Sequence, residues 1–202
     1  INGNIENNEN EHKINILTVH KPINIQSDIN FTQENGVISG DGTKENPYLI
    51  EGWDINAFNE NGIVIKNVSK YFIIQNSIIS NSDNCGIFLY KAKNGQIINI
   101  SIIKNPIGVW IENSSNLILS ENIIQDNKAE GIILISSSSV TISKNFIIRN
   151  GIKEPPAVYG VNCGTTDIGG LLLLYSDKNI IEKNIFNENL NYEINLGYNN
   201  RY

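Results

Sequence analysis

The stretch Gly108–Ile124, GVWIENSSNLILSENII, is one copy of a unit that recurs along most of this 202-residue chain. Each copy begins at a glycine and runs through a short apolar segment, a polar turn, a second apolar segment and a closing asparagine. The five clear copies stand 24, 22, 23 and 39 residues apart and begin at Gly62, Gly86, Gly108, Gly131 and Gly170. Self-similarity at this period indicates stacked units, since no single copy can bury its own apolar face.

Apolar residues keep fixed offsets from each glycine. The first and third residues after it are Ile, Val or Leu in all five copies, and side chains two residues apart share one face of an extended strand. The apolar segments are short and rich in β-branched residues, whereas helices need longer segments at a period near 3.6. The repeat therefore predicts an all-β parallel coil of about six turns, with three short strands per turn and neighbouring turns hydrogen-bonded along their length.

Asparagines also recur in phase, and the chain contains 35 of them. We expect stacked amides that hydrogen-bond to one another from turn to turn, at positions where Asn tolerates left-handed backbone conformations. The first Asn ladder, fourteen residues after the glycine, comprises Asn76, Asn122, Asn145 and Asn184, with Ile100 interrupting it. The second Asn ladder, nineteen residues after the glycine, comprises Asn81, Asn105, Asn127, Asn150 and Asn189. Both ladders are predicted to be structural and not a binding site.

The repeat resembles the right-handed parallel β-helix of the broad pectate-lyase-like superfamily, and in style the β-helix repeats of NosD-like and other archaeal or bacterial surface proteins. The segment from Gly40 to Trp53, GDGTKENPYLIEGW, is similar to the opening of such domains. The resemblance covers about residues 37–196 and implies the fold. It implies little about chemistry, because this scaffold carries lyases, hydrolases, binding modules and structural pieces alike.

The domain organisation follows from the repeat. Residues 1–12 are polar and rich in Asn and Glu, and we expect a flexible arm or linker there. Residues 13–41 are predicted to form strands that cap the N-terminal end, since an open β-helix end is an unpaired template for aggregation. Residues 42–202 form the predicted β-helix, beginning with a degenerate first coil at Gly42. Residues 151–169 interrupt the period as a loop insertion.

Composition restricts the partners. The net charge is −6 and the chain has no cluster of basic residues, so we expect no nucleic acid partner. No apolar stretch approaches about 18 residues, so we expect no direct membrane insertion. The chain begins at Ile1 and contains no Met, which we interpret as a signal peptide already removed and hence an extracellular or cell-surface location. A secreted protein would favour a disulfide between Cys85 and Cys163, whereas a cytosolic one would keep two thiols.

The outward side of the first strand is unexpectedly apolar, although the exposed side of a sheet should be polar. We call this surface the first-strand face; its residues are Phe88, Tyr90, Trp110, Glu112, Ile133, Ile135, Leu172 and Leu174. A patch of this size needs a cover. Three covers are open: the insertion at 151–169, a second subunit or other surface protein, and a polysaccharide stacking on the aromatic rings.

Chemistry-bearing residues are sparse. Glycoside hydrolysis needs paired carboxylates, and the first-strand face supplies only Glu112. Asp126 and Glu188 flank Arg149, and Glu121 precedes two lysines, which is typical of a solvated face of mixed charge. We expect no catalytic residue, metal site or cofactor; copper handling, which the NosD resemblance suggests, lacks the needed His and Met ligands.

These observations predict a non-enzymatic extracellular β-helix module, a structural or adhesive surface protein that self-associates through its apolar outer face. Two alternatives stay open: a carbohydrate-binding module that uses the three aromatic residues, and a polysaccharide-active enzyme of lyase or hydrolase type. Soluble glycan binding distinguishes the first alternative, and depolymerisation distinguishes the second.

Overall fold

A computed structural model describes residues 16–151 and 169–197. The chain winds as a right-handed parallel β-helix of about six turns, with three sheets forming the walls of a prism. We number the turns as coils 1 to 6 by the glycines Gly42, Gly62, Gly86, Gly108, Gly131 and Gly170. Nearly every strand pairs in parallel with the equivalent strand of the coils before and after it. The predicted fold class is thereby confirmed.

Sheet A contains seven strands: β1 Thr18–Val19, β5 Trp53–Asn56, β8 Ile78–Ser80, β10 Ser101–Ile103, β13 Ile123–Gln125, β16 Phe146–Ile148 and β19 Ile185–Asn187. Sheet B begins each coil: β2 Ile23–Ile25, β6 Ile63–Val68, the first half of β9 Cys85–Ile98, β11 Ile107–Glu112, β14 Ile132–Ile135, β17 Gly169–Leu174 and β20 Tyr192–Leu196. Sheet C follows sheet B along the chain: β3 Val37–Ser39, β4 Tyr48–Glu51, β7 Phe72–Gln75, the second half of β9, β12 Ser115–Ser120, β15 Ser138–Ser143 and β18 Ile180–Glu182.

The core fills the interior of the prism. The residues at the first and third offsets, which the sequence predicts to point inward, are all almost completely buried. A well-packed core of Ile, Leu and Val from all three walls results. Burying each such side chain stabilises the fold by about 1.5–3 kcal/mol before entropy losses.

The N-terminal segment adds strands to the prism. Strands β1 and β2 pair in parallel with β5 and β6, so they extend sheets A and B. Short 3₁₀ turns at Asp28–Asn30 and Gln33–Asn35 follow, and β3 then pairs antiparallel with β4. The ring of Phe31 stacks on Tyr48 at 4.5 Å between centroids and lies 5.8 Å from Phe72, which closes the end of the core. The predicted arm at 1–12 and most of the insertion at 151–169 lie outside the described residues.

The asparagine ladders run along two corners of the prism. In the second ladder the side-chain amide of each residue donates to the Oδ1 of the next, at 3.2, 2.9 and 2.9 Å from Asn105 to Asn189. The same Oδ1 atoms also accept a backbone N–H from the preceding coil. The first ladder repeats this pattern through Asn122, Asn145 and Asn184. Each buried amide is therefore fully hydrogen-bonded, as burial requires.

Two predicted ladder positions are wrong by one residue. Asn76 and Asn81 lie at left-handed turns, with φ of 48° and 54°, and the buried Ser77 and Ser82 occupy the ladder positions instead. The cause is the turn between sheets B and C in coil 2. Four residue steps separate the pairs Val68–Ala92 and Phe72–Gly95 in coil 2, against three in coil 3. The extra residue shifts everything after it.

The expected left-handed conformation belongs to a neighbouring residue. The residue before each true ladder asparagine has positive φ, and it is a charged residue at Lys104, Glu121, Asp126, Lys144 and Arg149. The ladder asparagines themselves serve through hydrogen bonding. The third corner carries a serine column that the sequence reading missed: Ser114 N donates to Ser137 Oγ at 3.2 Å, and Ser137 N donates to Ser176 Oγ at 3.1 Å. Serine six residues after three successive glycines was its signal.

Candidate functional site

The first-strand face is the outer face of sheet B, where two rows of side chains run across the coils. Strand register places the residues of each row side by side. One row comprises Val64, Phe88, Trp110, Ile133 and Leu172; the other comprises Lys66, Tyr90, Glu112, Ile135 and Leu174. Successive members are one strand spacing apart, about 4.8 Å. The structure therefore brings all eight predicted face residues onto one surface.

Burial divides this face into two parts. Ile133 and Leu172 are completely buried, although they point away from the interior of the prism. Phe88, Tyr90 and Trp110 are only half-buried. Ile133 packs with Cys85, Ile107 and Ala129 in a second apolar cluster, outside the main core, that Phe88 and Trp110 adjoin. The aromatic end of the face is therefore accessible, and Ile135 and Leu174 add half-buried aliphatic side chains at its other end. We call Phe88, Tyr90, Trp110 and Glu112 the aromatic site.

The three rings of the aromatic site contact one another at tilted angles. The centroids of Phe88 and Trp110 are 5.6 Å apart with their planes at 59°, and those of Phe88 and Tyr90 are 6.3 Å apart at 37°. Both distances lie in the range of favourable aromatic pairs. Because the rings pack against each other and on the rigid sheet, the site is preformed.

Charged and polar groups border the rings. The Nζ of Lys66 lies 5.2 Å from the Phe88 centroid, and that of Lys91 lies 5.1 Å from the Tyr90 centroid, both cation–π distances. Glu112 stands beside Tyr90 in register, and its Oε1 accepts a hydrogen bond from Asn113 Nδ2 at 3.2 Å. The site thus combines apolar ring surface with donors and acceptors on its margin.

Trp110 carries an unsatisfied donor. Its indole Nε1 is buried and has no hydrogen-bond partner. A buried donor without an acceptor costs about 1–3 kcal/mol. Because this atom is buried, the cost belongs to the packing of the indole ring and not to a ligand contact.

Glu130, which the sequence reading did not select, is buried in the corner that begins β14. Its backbone O accepts from Gly108 N, so it follows Cys85 and Ile107 in the column immediately before the glycines. The residue is only 5% exposed, and burial raises the pKa of its carboxyl to about 7, against a weaker lowering by its own backbone N–H. The signal in the sequence is an acidic residue immediately before Gly131, where the two preceding coils have Cys85 and Ile107.

The family follows from the comparison with known proteins. The model of the right-handed β-helix region matches residues 5–168 of this chain. The chain belongs to the right-handed β-helix family. Among solved structures, this β-helix is similar to the enzymatically active domain of tailspike protein 2 from bacteriophage CBA120, with a TM-score of 0.52 and 18% identity. The match covers 69% of this chain and 22% of the tailspike chain, so it spans about a fifth of that protein and supports the fold alone.

The carboxylates of Glu112 and Glu130, both on the sheet B side of the β-helix, are poorly placed for paired acid–base chemistry. Glu112 and Glu130 are separated by five residues along the strand direction and by one coil, about 17 Å at strand dimensions. Glycosidase pairs lie about 5–9.5 Å apart. Asp126 binds Arg149 through two bonds of 2.8 and 2.9 Å, and Lys144 Nζ lies 3.3 Å from Glu121 Oε1. Asp126 and Glu121 therefore form ion pairs on a solvated surface.

The described residues also bear on metal binding, on the two cysteines and on membrane-spanning segments. Residues 16–151 and 169–197 contain no group of three or more His, Cys, Asp or Glu side chains placed to hold a metal ion. Cys85 is buried next to Ile107, whereas its predicted partner Cys163 lies outside the described residues. Within the same described ranges, no helix has the length and apolarity needed to span a membrane.

Proposed function

We propose that this β-helix is a non-enzymatic, adhesive module of the extracellular or cell-surface type that binds a polysaccharide at its aromatic site. The observation that carries the proposal is the preformed cluster of Phe88, Tyr90 and Trp110 on an otherwise regular solenoid wall. Aromatic rings suit the apolar faces of sugar rings, and half-exposed Tyr and Trp are enriched where proteins bind other molecules.

The margin of the site supports the same ligand class. Sugars present many hydroxyl groups, which need donors and acceptors at the edge of an apolar contact. Glu112 offers acceptors and Lys66 offers a donor at this margin. The rows of sheet B also repeat at the strand spacing, so an elongated chain lying across the coils meets equivalent positions in succession.

Burial reduces the part of this face that could serve the predicted self-association, which stays a prediction. That expectation rested on an exposed patch extending from Phe88 to Leu174. Ile133 and Leu172 are already buried in the single chain, whereas the aromatic site, Ile135 and Leu174 stay half-buried.

Binding of soluble polysaccharides to the wild-type chain and to a Trp110→Ala variant tests the proposal. We expect the variant to lose at least about tenfold in affinity, as for a central aromatic contact. Phe58→Ala is the matched control, because Phe58 is 75% exposed on a turn away from sheet B. Equal binding by wild type and Trp110→Ala across a broad glycan panel would refute an aromatic site.

A second candidate function is polysaccharide cleavage, and one observation favours it. A carboxyl group with a pKa of about 7, as burial gives Glu130, has the protonation behaviour of a general acid or base. The same glycan panel distinguishes the two functions. Release of soluble fragments that Glu130→Gln abolishes would establish an enzyme, whereas binding without fragments supports the adhesive module.

A further inference from the structure

The outer face of sheet A carries an exposed apolar strip in coils 4 to 6. Register aligns Ile123, Phe146 and Ile185 in one row, and their exposed fractions are 41%, 44% and 50%. Asp54, Ile78 and Ser101 occupy the equivalent positions of coils 1 to 3, so Ser101 separates the half-buried Ile78 from the continuous strip in the C-terminal half. A solvated sheet face is expected to be polar, and a row of three large apolar residues is typical of a covered one.

Charged rows border this strip on both sides. On one side, Glu121, Lys144 and Lys183 occupy the turns just before the sheet A strands, where Lys144 pairs with Glu121 at 3.3 Å. On the other side stands a row whose charge alternates with each coil. It comprises Lys104, Asp126, Arg149 and Glu188, of which Asp126 and Arg149 form a bidentate pair.

The charges of the alternating row are complementary to those of the same row in a second copy that runs in the opposite direction. When a second copy lies face to face and antiparallel, with a twofold axis between coils 4 and 5, Asp126 meets Arg149 of the second copy. By the same symmetry Lys104 meets Glu188, Glu121 meets Lys144, and Ile123 meets Phe146. Every facing pair of charges is of opposite sign. Ile123 and Phe146 of the two copies cover each other, and Ile185 faces Ser101 of the second copy.

A parallel arrangement lacks this complementarity. In a parallel dimer the twofold axis runs along the solenoid axis, so each charged row of one copy faces the other charged row of the second copy. Glu121 then faces Asp126, and Lys144 faces Arg149, so like charges oppose each other at the centre. Like-charge contacts of this kind select against an orientation.

We propose that two copies of this chain associate through the outer faces of sheet A in an antiparallel dimer centred between coils 4 and 5. This surface is distinct from the aromatic site on sheet B, which stays accessible in both copies. Such an interface is isologous, since the same patch serves on each side, and it closes after two copies.

The oligomeric state of the wild-type chain over a concentration series, by sedimentation or light scattering, is the first test. We expect a monomer–dimer equilibrium that Phe146→Lys shifts towards monomer by on the order of tenfold or more in the dissociation constant. Phe58→Lys is the matched control on a turn outside sheet A, and we expect it to dimerise normally. A wild-type chain that stays monomeric at every concentration, or a Phe146→Lys variant that dimerises like wild type, overturns the proposal.

Charge reversal tests the orientation. Asp126→Lys places two cations opposite each other in the antiparallel dimer, and Arg149→Glu places two anions there, so each variant alone should dimerise more weakly than wild type. Mixed in equal amounts, the two variants restore opposite charges at both contacts, and we expect a heterodimer. A parallel dimer gives a different result, because Asp126→Lys would meet Glu121 and bind more tightly. Since the pair is largely exposed, the thermal melts should shift only by the loss of one surface ion pair.

Discussion

The corners of coils 4 to 6 differ from those of coils 2 and 3 in what fills the stacked positions. In the later coils all three corners carry a hydrogen-bonding side chain: Ser114, Asn122 and Asn127 in coil 4, followed by their equivalents in coils 5 and 6. In the earlier coils the same columns hold Val68 and Ala92, Ser77 and Ile100, and Ser82 and Asn105. The wall strands are alike in the two halves, so the corners make the difference.

An asparagine side chain accepts hydrogen bonds from the preceding coil and also donates one to the following coil. A serine in the same column does this less well, and an isoleucine side chain cannot do it. Asn127 accepts from both the backbone N and the Nδ2 of Asn105 and donates to Asn150 Oδ1 and Ile102 O. Ser82 Oγ is buried without a partner, and Ile100 can only pack. Because each coil contacts only its neighbours, we expect the half with complete ladders to be the more stable one.

The largest effect is expected from breaking a ladder in its middle. Asn127→Ala leaves the Asn105 N–H and the Ile102 carbonyl buried without their partner, and should lower the free energy of unfolding by about 3–4 kcal/mol. Urea denaturation measures this loss. Asn81→Ala is the control, because Asn81 lies outside the buried ladder, and its loss should be below about 1 kcal/mol. Equal losses in the two variants would mean that the ladder adds nothing beyond turn formation.

A pH-dependent effect is expected at the outside of the same corner, where burial raises the pKa of Glu130 to about 7 from an ordinary 4.5. Below pH 4.5 the carboxyl is protonated in both states. Between pH 4.5 and 7 the unfolded chain loses the proton first, so stability falls, by up to about 3 kcal/mol in total. Glu130→Gln should remove this fall and be more stable than wild type at pH 8. Parallel stability curves for the two proteins from pH 5 to 8 would contradict it.

A smaller gain is expected from extending the second ladder into coil 2. Ser82→Asn would supply an amide next to Asn105, in a column where Asn105 Oδ1 already accepts from the backbone of residue 82 at 3.0 Å. One added net hydrogen bond should stabilise the fold by about 1 kcal/mol. Thermal unfolding of this variant beside Ser80→Asn, on the outer side of the same strand, separates ladder extension from a general effect of asparagine.

The smallest effect belongs to the ion pair on the exterior. Asp126 and Arg149 bond closely, but their side chains are 35% and 46% exposed. Exposed pairs contribute about 0.2–1 kcal/mol. A double-mutant cycle with alanine at both positions in the monomer, repeated at high salt, should give a coupling energy in that range that decreases with salt. A value above 2 kcal/mol would place this pair with the interior ladders.

The sequence was sufficient for the fold because its signal is repeated. Two inward columns and the later Asn positions recur in phase through five copies, and the observed registers follow those glycines. The reading failed where the phase changes within a coil. The extra residue near Ser69 displaced Asn76 and Asn81, and counting from the glycine alone cannot locate such an insertion.

The aromatic site was predicted only in outline. Alternation placed Phe88, Tyr90 and Trp110 on one outer face, but the burial of Ile133 depends on contacts between coils and corners that no single strand encodes. The same holds for Glu130 and for the strip on sheet A. Their significance comes from neighbours one coil away, which a pattern of offsets does not evaluate.

The corner between coils 5 and 6 shows how a β-helix accommodates an insertion. Gly151 N donates to Asn127 O at 2.8 Å, and Gly169 O accepts from Gly131 N at 3.0 Å, so both flanks of a long connection stay bonded to the coils before it. Strand β17 follows this connection and still pairs in full register with β14 of the preceding coil, despite the 39-residue spacing between Gly131 and Gly170. An additional domain inserted at this corner would therefore leave the hydrogen bonding of the solenoid intact, so the coils tolerate a new module here without a change in their own structure.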